Sequence, residues 1–185
     1  MTLVEIKKPD FDVDLYIAYA TDDNFTNAPL YKNPYCFLHE TAAKHLKTAI
    51  ELASAVGLRI KIFDAFRPLE VQQALWKSNP NPEFISNPET GKTPHCRGIA
   101  ADLTLIDKDG VELDMGTGFD AFTPLSHHGV IDGISSEALL NRHILMGIMT
   151  AAGWDFNPNE WWHYQLPNFE IYKKLTDESA NTNML

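Results

Sequence analysis

An aspartate inside an otherwise apolar run constrains the fold of this chain more than any other feature of the sequence. Asp102 lies in the segment from Gly98 to Ile106, whose other residues are mainly apolar and favour a β-strand. A carboxylate buried in such a strand is costly unless a cation, a hydrogen-bond donor or a metal ion compensates its charge. Arg97 or Arg59 could supply that compensation in a purely structural ion pair, and a metal site is the alternative.

Two further polar clusters occur where the pattern predicts strands. Glu160 and His163 lie among three aromatic residues near the end of the chain, and Asp64 and Arg67 follow a central apolar strand. Polar clusters on three strands of one small domain predict a single shared site.

Two histidines can complete a ligand set with the buried aspartate. His95, Asp102 and His163 would supply two imidazoles and one carboxylate. A catalytic zinc ion takes three ligands of these kinds and leaves one position open for water. Each histidine could also be an ordinary core or surface residue, so spacing alone leaves both interpretations open. The loop pair His127–His128 is a second segment that could bind a metal.

Other candidate residues have weaker support. Cys96 adjoins His95 and Arg97, but adjacent side chains of a strand point to opposite faces, which argues against a cysteine nucleophile. Three further histidines carry no motif, and two of them fall on predicted helices; they are His39, His45 and His143.

Hydrophobic periodicity places the main elements. Strands are predicted over 11–17, 58–62, 98–106 and 160–166, and helices over 40–56, 68–78 and 136–152. Segments 21–36, 79–94 and 116–135 are predicted to be loops, and 107–110 to be a turn from which 111–115 returns as a strand. Strands and helices that do not alternate regularly indicate an α+β fold. We expect a central, mainly antiparallel sheet flanked by helices, with the zinc site on the sheet, in a single domain over residues 1–185.

The charge of the chain excludes some partners. Fifteen Lys and Arg against twenty-five Asp and Glu give a net charge of −10 over 185 residues, which disfavours binding to nucleic acid or anionic lipid. The sequence also has no apolar run of the length that a membrane span needs and no visible signal peptide. We therefore expect a cytoplasmic protein, unless an export signal has been removed. Oligomeric state cannot be deduced from these features.

Five motifs in order resemble a known family. The chain is similar to D-alanyl-D-alanine dipeptidases of the VanX type, which are zinc enzymes of the wider group of D-Ala-D-Ala metallopeptidases. The resemblance covers nearly the whole chain. It rests on Tyr19-Ala20-Thr21 with Asn24-Phe25, on Asp64 to Pro68, on His95 to Gly98 with Asp102 to Leu105, on Met115-Gly116 with Phe119-Asp120, and on Glu160 to Tyr164.

The resemblance implies roles for eight residues. It implies one zinc ion per chain bound by His95, Asp102 and His163, with Glu160 as general base and Arg67 as the residue that stabilises the tetrahedral oxyanion. It further implies that Tyr19 and Asp120 bind the free amino group of the substrate and that Thr93 lies near the substrate carboxylate.

The sequence departs from the usual pattern of the family at several positions. Phe66 stands where tyrosine is common, Cys96 where a small hydroxyl residue is common, and Pro94 precedes His95. The 79–92 loop is also short. These departures leave the implied metal ligands unchanged and affect the expected fit of the substrate.

The function implied by the resemblance is hydrolysis of D-alanyl-D-alanine by a metal-activated water. One alternative is a zinc D,D- or L,D-carboxypeptidase or endopeptidase that acts on longer peptidoglycan stem peptides. Another is a binding module with a structural metal, although such a module would need neither Glu160 nor Arg67. Residues three apart in a regular strand face opposite sides, so a shared site for Glu160 and His163 requires a bulge or turn at Trp161-Trp162.

Overall fold

The computed structural model describes residues 2–185. Its strands are β1 (Leu3–Glu5), β2 (Val13–Leu15), β3 (Phe37–His39), β4 (Arg59–Asp64), β5 (Ala100–Ile106), β6 (Asp155–Asn157) and β7 (Glu160–Gln165). The α-helices are α1 (Glu40–Ala55), α2 (Leu69–Ser78), α3 (Ser136–Ala151) and α4 (Asp177–Ala180). Every helix in the described part of the chain is too short or too polar to cross a membrane.

A five-stranded sheet forms the centre of the fold, in the order β2-β4-β5-β7-β6. The pairs β4–β5, β5–β7 and β6–β7 are antiparallel, and only the edge strand β2 runs parallel to its neighbour β4. All seven residues of β5 are buried, which agrees with its central place and its apolar composition. The predicted α+β class with a mainly antiparallel sheet is confirmed.

The positions of the long helices are explained by their apolar faces and by the residues at their ends. α1 buries Ala42, Leu46, Ala49 and Ala53 on one face, and the three alanines let it pack closely against the core. Gly57 ends the turn after α1 with φ of 76°, a left-handed conformation that glycine adopts without a Cβ penalty. α3 begins after Ser135, whose side chain accepts a hydrogen bond from the Ala138 amide.

Some elements differ from the sequence prediction. β1 and β3 pair in a separate two-stranded sheet, and β6 forms the outer edge of the main sheet; strands of three residues are too short to show a period. The predicted return strand over 111–115 is wrong, because only Glu112 makes a β-bridge, to Ile106. Asp114 then accepts a hydrogen bond from the Gly116 amide and turns the chain away from the sheet.

The C-terminal segment forms ordered structure that packs against the rest of the protein. Thr176 and Ser179 form a capping box that begins α4, and Met184 is buried against the body of the protein. The carbonyl of Met184 accepts hydrogen bonds from the amides of Lys32 and Asn33. The end of the chain therefore closes over the loop that follows β2.

Two irregularities in the sheet set the geometry of its central face. In β4, Ile62 pairs with Leu103 and Asp64 with Asp102, so Phe63 is an extra residue in a bulge. Asp102 also pairs with His163 on β7. Residues directly opposite each other point to the same face of a sheet, so the bulge brings three polar side chains into one row across three strands.

Candidate metal centre

The first candidate ligand lies in a short turn that leads into β5. His95 begins a 3-10 turn over His95–Arg97, which Gly98 ends with φ of 66°. A Cβ at Gly98 would lie 2.7 Å from the side chain of Leu3 and 3.0 Å from the amide of His39, so glycine is required there on two grounds. The turn delivers the His95 ring to the sheet face where Asp102 and His163 lie.

The three predicted ligands form a small buried triangle. His95 Nε2 lies 3.1 Å from His163 Nδ1 and 3.4 Å from Asp102 Oδ1, and His163 Nδ1 lies 3.0 Å from Asp102 Oδ1. A tetrahedral zinc ion with bonds of ~2.0–2.2 Å places its ligand atoms roughly 3.3–3.6 Å apart. The donor set is one that zinc takes, and the two shorter edges of the triangle would need to open by only a few tenths of an ångström to hold it. It is also the one group of three or more potential metal-binding side chains found within residues 2–185.

Hydrogen bonds outside the triangle orient both imidazoles. His95 Nδ1 lies 2.7 Å from the carbonyl oxygen of Ala65, and His163 Nε2 lies 3.1 Å from Gln165 Oε1. The Ala65 carbonyl can only accept, so it favours the His95 tautomer with the proton on Nδ1 and a lone pair on Nε2 toward the triangle, and Gln165 Oε1 favours the matching tautomer of His163. Burial opposes ionisation of Asp102, but Coulomb attraction and hydrogen bonds from protonated imidazoles outweigh this effect and hold its pKa well below the usual range; a bound metal ion would supply the positive charge in place of those protons.

A buried guanidinium lies beside the triangle. Arg67 Nε donates to Asp64 Oδ2 at 2.8 Å, its Nη1 donates to Gln72 Oε1 at 3.0 Å, and its Nη2 lies 3.5 Å from Asp102 Oδ2. Tyr31 donates to the other oxygen of Asp64 at 2.9 Å. Arg67 and Asp64 therefore form a buried ion pair, which leaves further N–H groups of the arginine available to the site.

Glu160 lies close to the triangle without belonging to it. Its Oε2 accepts a hydrogen bond from Asn157 Nδ2 at 2.8 Å and lies 3.8 Å from His163 Nδ1. Burial raises the pKa of Glu160 to about 7.

The predicted irregularity in the last hairpin is confirmed. Phe156 pairs with Tyr164 and Asn157 with Glu160, so Trp161 to His163 lie opposite a single peptide step of β6. This irregularity is how Glu160 and His163 reach the same side of the sheet.

A second polar pair lies at the far side of the site. Tyr19 donates its hydroxyl proton to Asp120 Oδ2 at 2.8 Å, and the Arg67 guanidinium lies 5.0 Å from the centre of the Tyr19 ring. Asp120 has a left-handed backbone, with φ of 56°. Burial, reinforced by the nearby charge of Asp102, raises its pKa well above the usual value. A cation arriving beside Asp120 would relieve this cost.

Thr93 is unusual in both its backbone and its side chain. Its φ is 44°, which is rare for a β-branched residue, and its buried Oγ1 has no hydrogen-bond partner. A strained residue with a free buried hydroxyl points to a binding role more than to a packing role.

One cavity of about 300 Å³ joins these groups. Its lining includes all eight residues predicted from the sequence, which are Tyr19, Arg67, Thr93, His95, Asp102, Asp120, Glu160 and His163. The volume suits a small ligand. Sequence reasoning missed Gln72, Asn157 and Gln165, because a single amide side chain carries no motif and acquires its role only from its contacts.

The remaining candidates lie apart from this chemistry. Cys96 is fully buried, and burial raises its pKa to about 12, which disfavours the thiolate that a nucleophile needs. It lies in the 3-10 turn and not in the strand that the sequence suggested. His127 pairs with Glu83, and His128 packs its ring against Phe156. Neither belongs to the ligand triangle.

Comparison with known proteins agrees with the motifs. The peptidase M15 model, described as D-ala-D-ala dipeptidase, matches residues 2–181. A D-alanyl-D-alanine dipeptidase of Escherichia coli K12 is 38% identical over 170 residues, which cover 92% of this chain and 86% of that protein. A D-alanyl-D-alanine dipeptidase of Enterococcus faecium is 36% identical, and the match covers 80% of this chain and 83% of that protein. The solved structure of VanYB in complex with D-Alanine-D-Alanine matches with a TM-score of 0.44 and 18% sequence identity. The match covers 90% of this chain and 83% of that chain.

The family match spans almost the whole chain and includes every residue of the cavity named above. The chain belongs to the D-Ala-D-Ala dipeptidase family of M15 peptidases.

Proposed function

We propose that this protein hydrolyses the peptide bond of D-alanyl-D-alanine with the help of one zinc ion. The observation that carries the proposal is the meeting of three groups in one small cavity. These groups are the ligand triangle, a carboxylate that is not part of it, and a buried guanidinium. The names of the relatives support the choice of substrate.

His95, Asp102 and His163 would hold the metal. When bound, zinc supplies a Lewis acid that lowers the pKa of water and polarises a carbonyl group. Every other part of the mechanism falls to side chains of the protein.

Glu160 acts as the general base. Asn157 holds its Oε2, which leaves Oε1 free to take a proton from the attacking water and deliver it to the leaving nitrogen. Glu160 must stay off the metal for this task, and its position outside the ligand triangle supports that assignment.

Arg67 stabilises the negative charge that develops on the carbonyl oxygen. Its guanidinium is held in place by Asp64 and Gln72 before the substrate arrives, so little reorganisation is needed during the reaction. An N–H donor that is fixed where charge develops lowers the barrier by about 3 kcal/mol.

Asp120 and Tyr19 bind the free amino group of the substrate, and Thr93 binds its carboxylate through the unpaired hydroxyl. An ammonium group would compensate the buried carboxylate of Asp120, whereas a longer peptide brings an uncharged amide to the same place. This difference favours dipeptides over stem peptides.

The proposal is tested by hydrolysis assays on purified protein. We expect cleavage of D-Ala-D-Ala that a chelator abolishes and zinc restores, with much slower cleavage of L-Ala-L-Ala and of a pentapeptide ending in D-Ala-D-Ala. Faster cleavage of the pentapeptide would identify a carboxypeptidase instead. A zinc-loaded protein that cleaves none of these peptides would support a binding module and contradict the proposal.

A further inference from the structure

Gln72 connects the buried arginine of the site to the loop that covers it. Its Oε1 accepts a hydrogen bond from Arg67 Nη1 at 3.0 Å, and its Nε2 donates to the carbonyl oxygen of Ser86 at 2.7 Å. The residue is 2% exposed and lies on the inner face of α2, where it lines the cavity.

The two contacts define the orientation of the amide. Arginine is only a donor and a backbone carbonyl is only an acceptor, so a flipped amide would lose both hydrogen bonds. A buried amide satisfied at both ends is rigid, and it transmits the position of one partner to the other.

Arg67 depends on this contact for its orientation. The guanidinium is planar, and one firm contact at Nε to Asp64 leaves it able to tilt about that contact. The 3.5 Å approach of Nη2 to Asp102 is too long to hold it firmly. The Gln72 contact on Nη1 provides the second fixed point, and these two points together with the covalent attachment at Cδ define the plane.

The loop side of the connection also reaches the site. The Ser86 hydroxyl accepts a hydrogen bond from the Thr93 amide at 3.1 Å, so Ser86 links Gln72 to the strained residue beside His95. A Cβ on Gly91 would lie 2.3 Å from Ser86 Oγ, which shows how tightly this part of the loop is folded. Lys174 holds the outer side of the loop through the carbonyl of Pro88.

We propose that Gln72 is a positioning residue that fixes the plane of the Arg67 guanidinium and couples it to the 79–92 loop. It acts through Arg67 and has no contact with the reacting bond. The inference rests on the role proposed above for Arg67 in the transition state.

Two neighbouring glutamines allow a matched kinetic test. Gln72→Met keeps the length and the helix propensity of the side chain but removes both hydrogen bonds, and Gln73→Met makes the same change on the exposed face of α2. With zinc-loaded enzyme and D-Ala-D-Ala, we expect Gln72→Met to lower kcat about 10-fold with little change in KM, because the misplaced donor acts in the transition state. Gln73→Met should keep the wild-type kcat. A Gln72→Met enzyme with full zinc content and an unchanged kcat would overturn the proposal.

A double-mutant cycle tests whether Gln72 acts through Arg67. In an Arg67→Lys background the planar group is gone, so adding Gln72→Met should change kcat less than about 2-fold. An equal loss of kcat in both backgrounds would show a general structural effect and contradict the assigned role.

Gln72→Glu separates the two halves of the connection. Glutamate still accepts from Arg67 but cannot donate to the Ser86 carbonyl, so we expect a kcat closer to wild type than that of Gln72→Met, with the loop released in both variants. Identical behaviour of the two variants in kcat would contradict the Arg67 half of the proposal.

Hydrogen exchange gives a readout that needs no substrate. We expect exchange of the Arg67 Nε–H and of the Thr93 amide, followed by NMR, to be about 10-fold faster in Gln72→Met than in Gln73→Met. A wild-type enzyme that fails to cleave D-Ala-D-Ala would contradict the proposed function, while these exchange rates would still decide the role of Gln72. If the Arg67 Nε–H and the Thr93 amide exchanged at the same rates in Gln72→Met as in Gln73→Met, the positioning role of Gln72 would be overturned.

Discussion

The Nε2 atom of His95 lies 3.1 Å from the Nδ1 atom of His163, although the two residues are 68 positions apart in the sequence. Both nitrogens face the Asp102 carboxylate, and both rings are held from outside by a hydrogen-bond acceptor. Two inward lone pairs at this distance repel each other unless a proton or a metal ion lies between them. The arrangement suits a cation in the middle of the triangle.

Metal removal should therefore destabilise the protein. We expect a chelator to lower Tm by about 10 °C, since binding a ligand at 1,000 times its Kd stabilises by about 4 kcal/mol and each kcal/mol is worth about 2–4 °C in a chain of this size. His163→Ala should abolish zinc binding, measured by elemental analysis, and should make Tm insensitive to the chelator. The exposed His143→Ala serves as the control and should behave as wild type. Full zinc content in His163→Ala would exclude the ligand triangle.

Glu160→Gln should separate metal binding from catalysis. The amide keeps the size of the side chain and can still contact Asn157, but it cannot accept a proton from water. We expect full zinc content and a kcat lower by about 10³-fold, within the range for loss of a general base. Hydrolysis at the wild-type rate by this variant would contradict the assignment of Glu160.

Asp120→Asn should affect binding of the amino group more than the chemical step. Asparagine tolerates the left-handed backbone at this position and still accepts the Tyr19 hydrogen bond, so the change removes mainly the charge. A hydrogen bond to a charged group contributes about 1.5–3 kcal/mol, and KM for D-Ala-D-Ala should rise about 10- to 100-fold. Zinc content should stay the same. Loss of the metal in parallel with the rise in KM would assign Asp120 to the metal site instead.

His128 should make the stability of the protein depend on pH. Burial, together with the nearby Arg142 charge, lowers its pKa from 6.5 to about 4. The unfolded chain then binds more protons than the native protein between these two values, so stability falls as the pH falls from 6.5 to 4. Wild type should therefore lose unfolding free energy between pH 6.5 and pH 4. We expect His128→Gln to reduce that loss by roughly 2 kcal/mol, after allowance for the partly exposed ring.

The measurement for His128 is urea unfolding of both proteins across the pH range. The difference in unfolding free energy between wild type and His128→Gln should be constant above pH 7 and should shift in favour of the variant as the pH falls. Parallel curves from pH 7 to pH 4 would show that His128 titrates normally in the native state.

Much of the architecture can be predicted from the sequence. The periods of α1 and α3, the glycine after α1 and the apolar composition of β5 are local features, and these three elements form within a few residues of their expected ends. One candidate ligand could be suggested for a similar reason, because a carboxylate inside an apolar strand requires a partner wherever the chain goes, whereas the pairing of Asp102 with His95 and His163 as a ligand set was implied by the family resemblance.

Elements that depend on distant partners could not be predicted in this way. β1, β3 and β6 are three-residue strands whose pairing comes from the rest of the fold, and residues 111–115 fail to form a strand after a single bridge. The contacts of Gln72 are of the same kind, since nothing in its neighbouring residues indicates that it lies between Arg67 and Ser86.

The apolar surroundings of these polar side chains in the sequence indicate that they are buried, and their residue types indicate the chemistry they carry. How they meet depends on strand pairing: the bulge at Phe63 sets Asp64 opposite Asp102, and the irregular hairpin turns Glu160 toward His163. A shift of one residue in register reverses the face on which a side chain lies, and register is set by pairing between strands that are far apart in the chain.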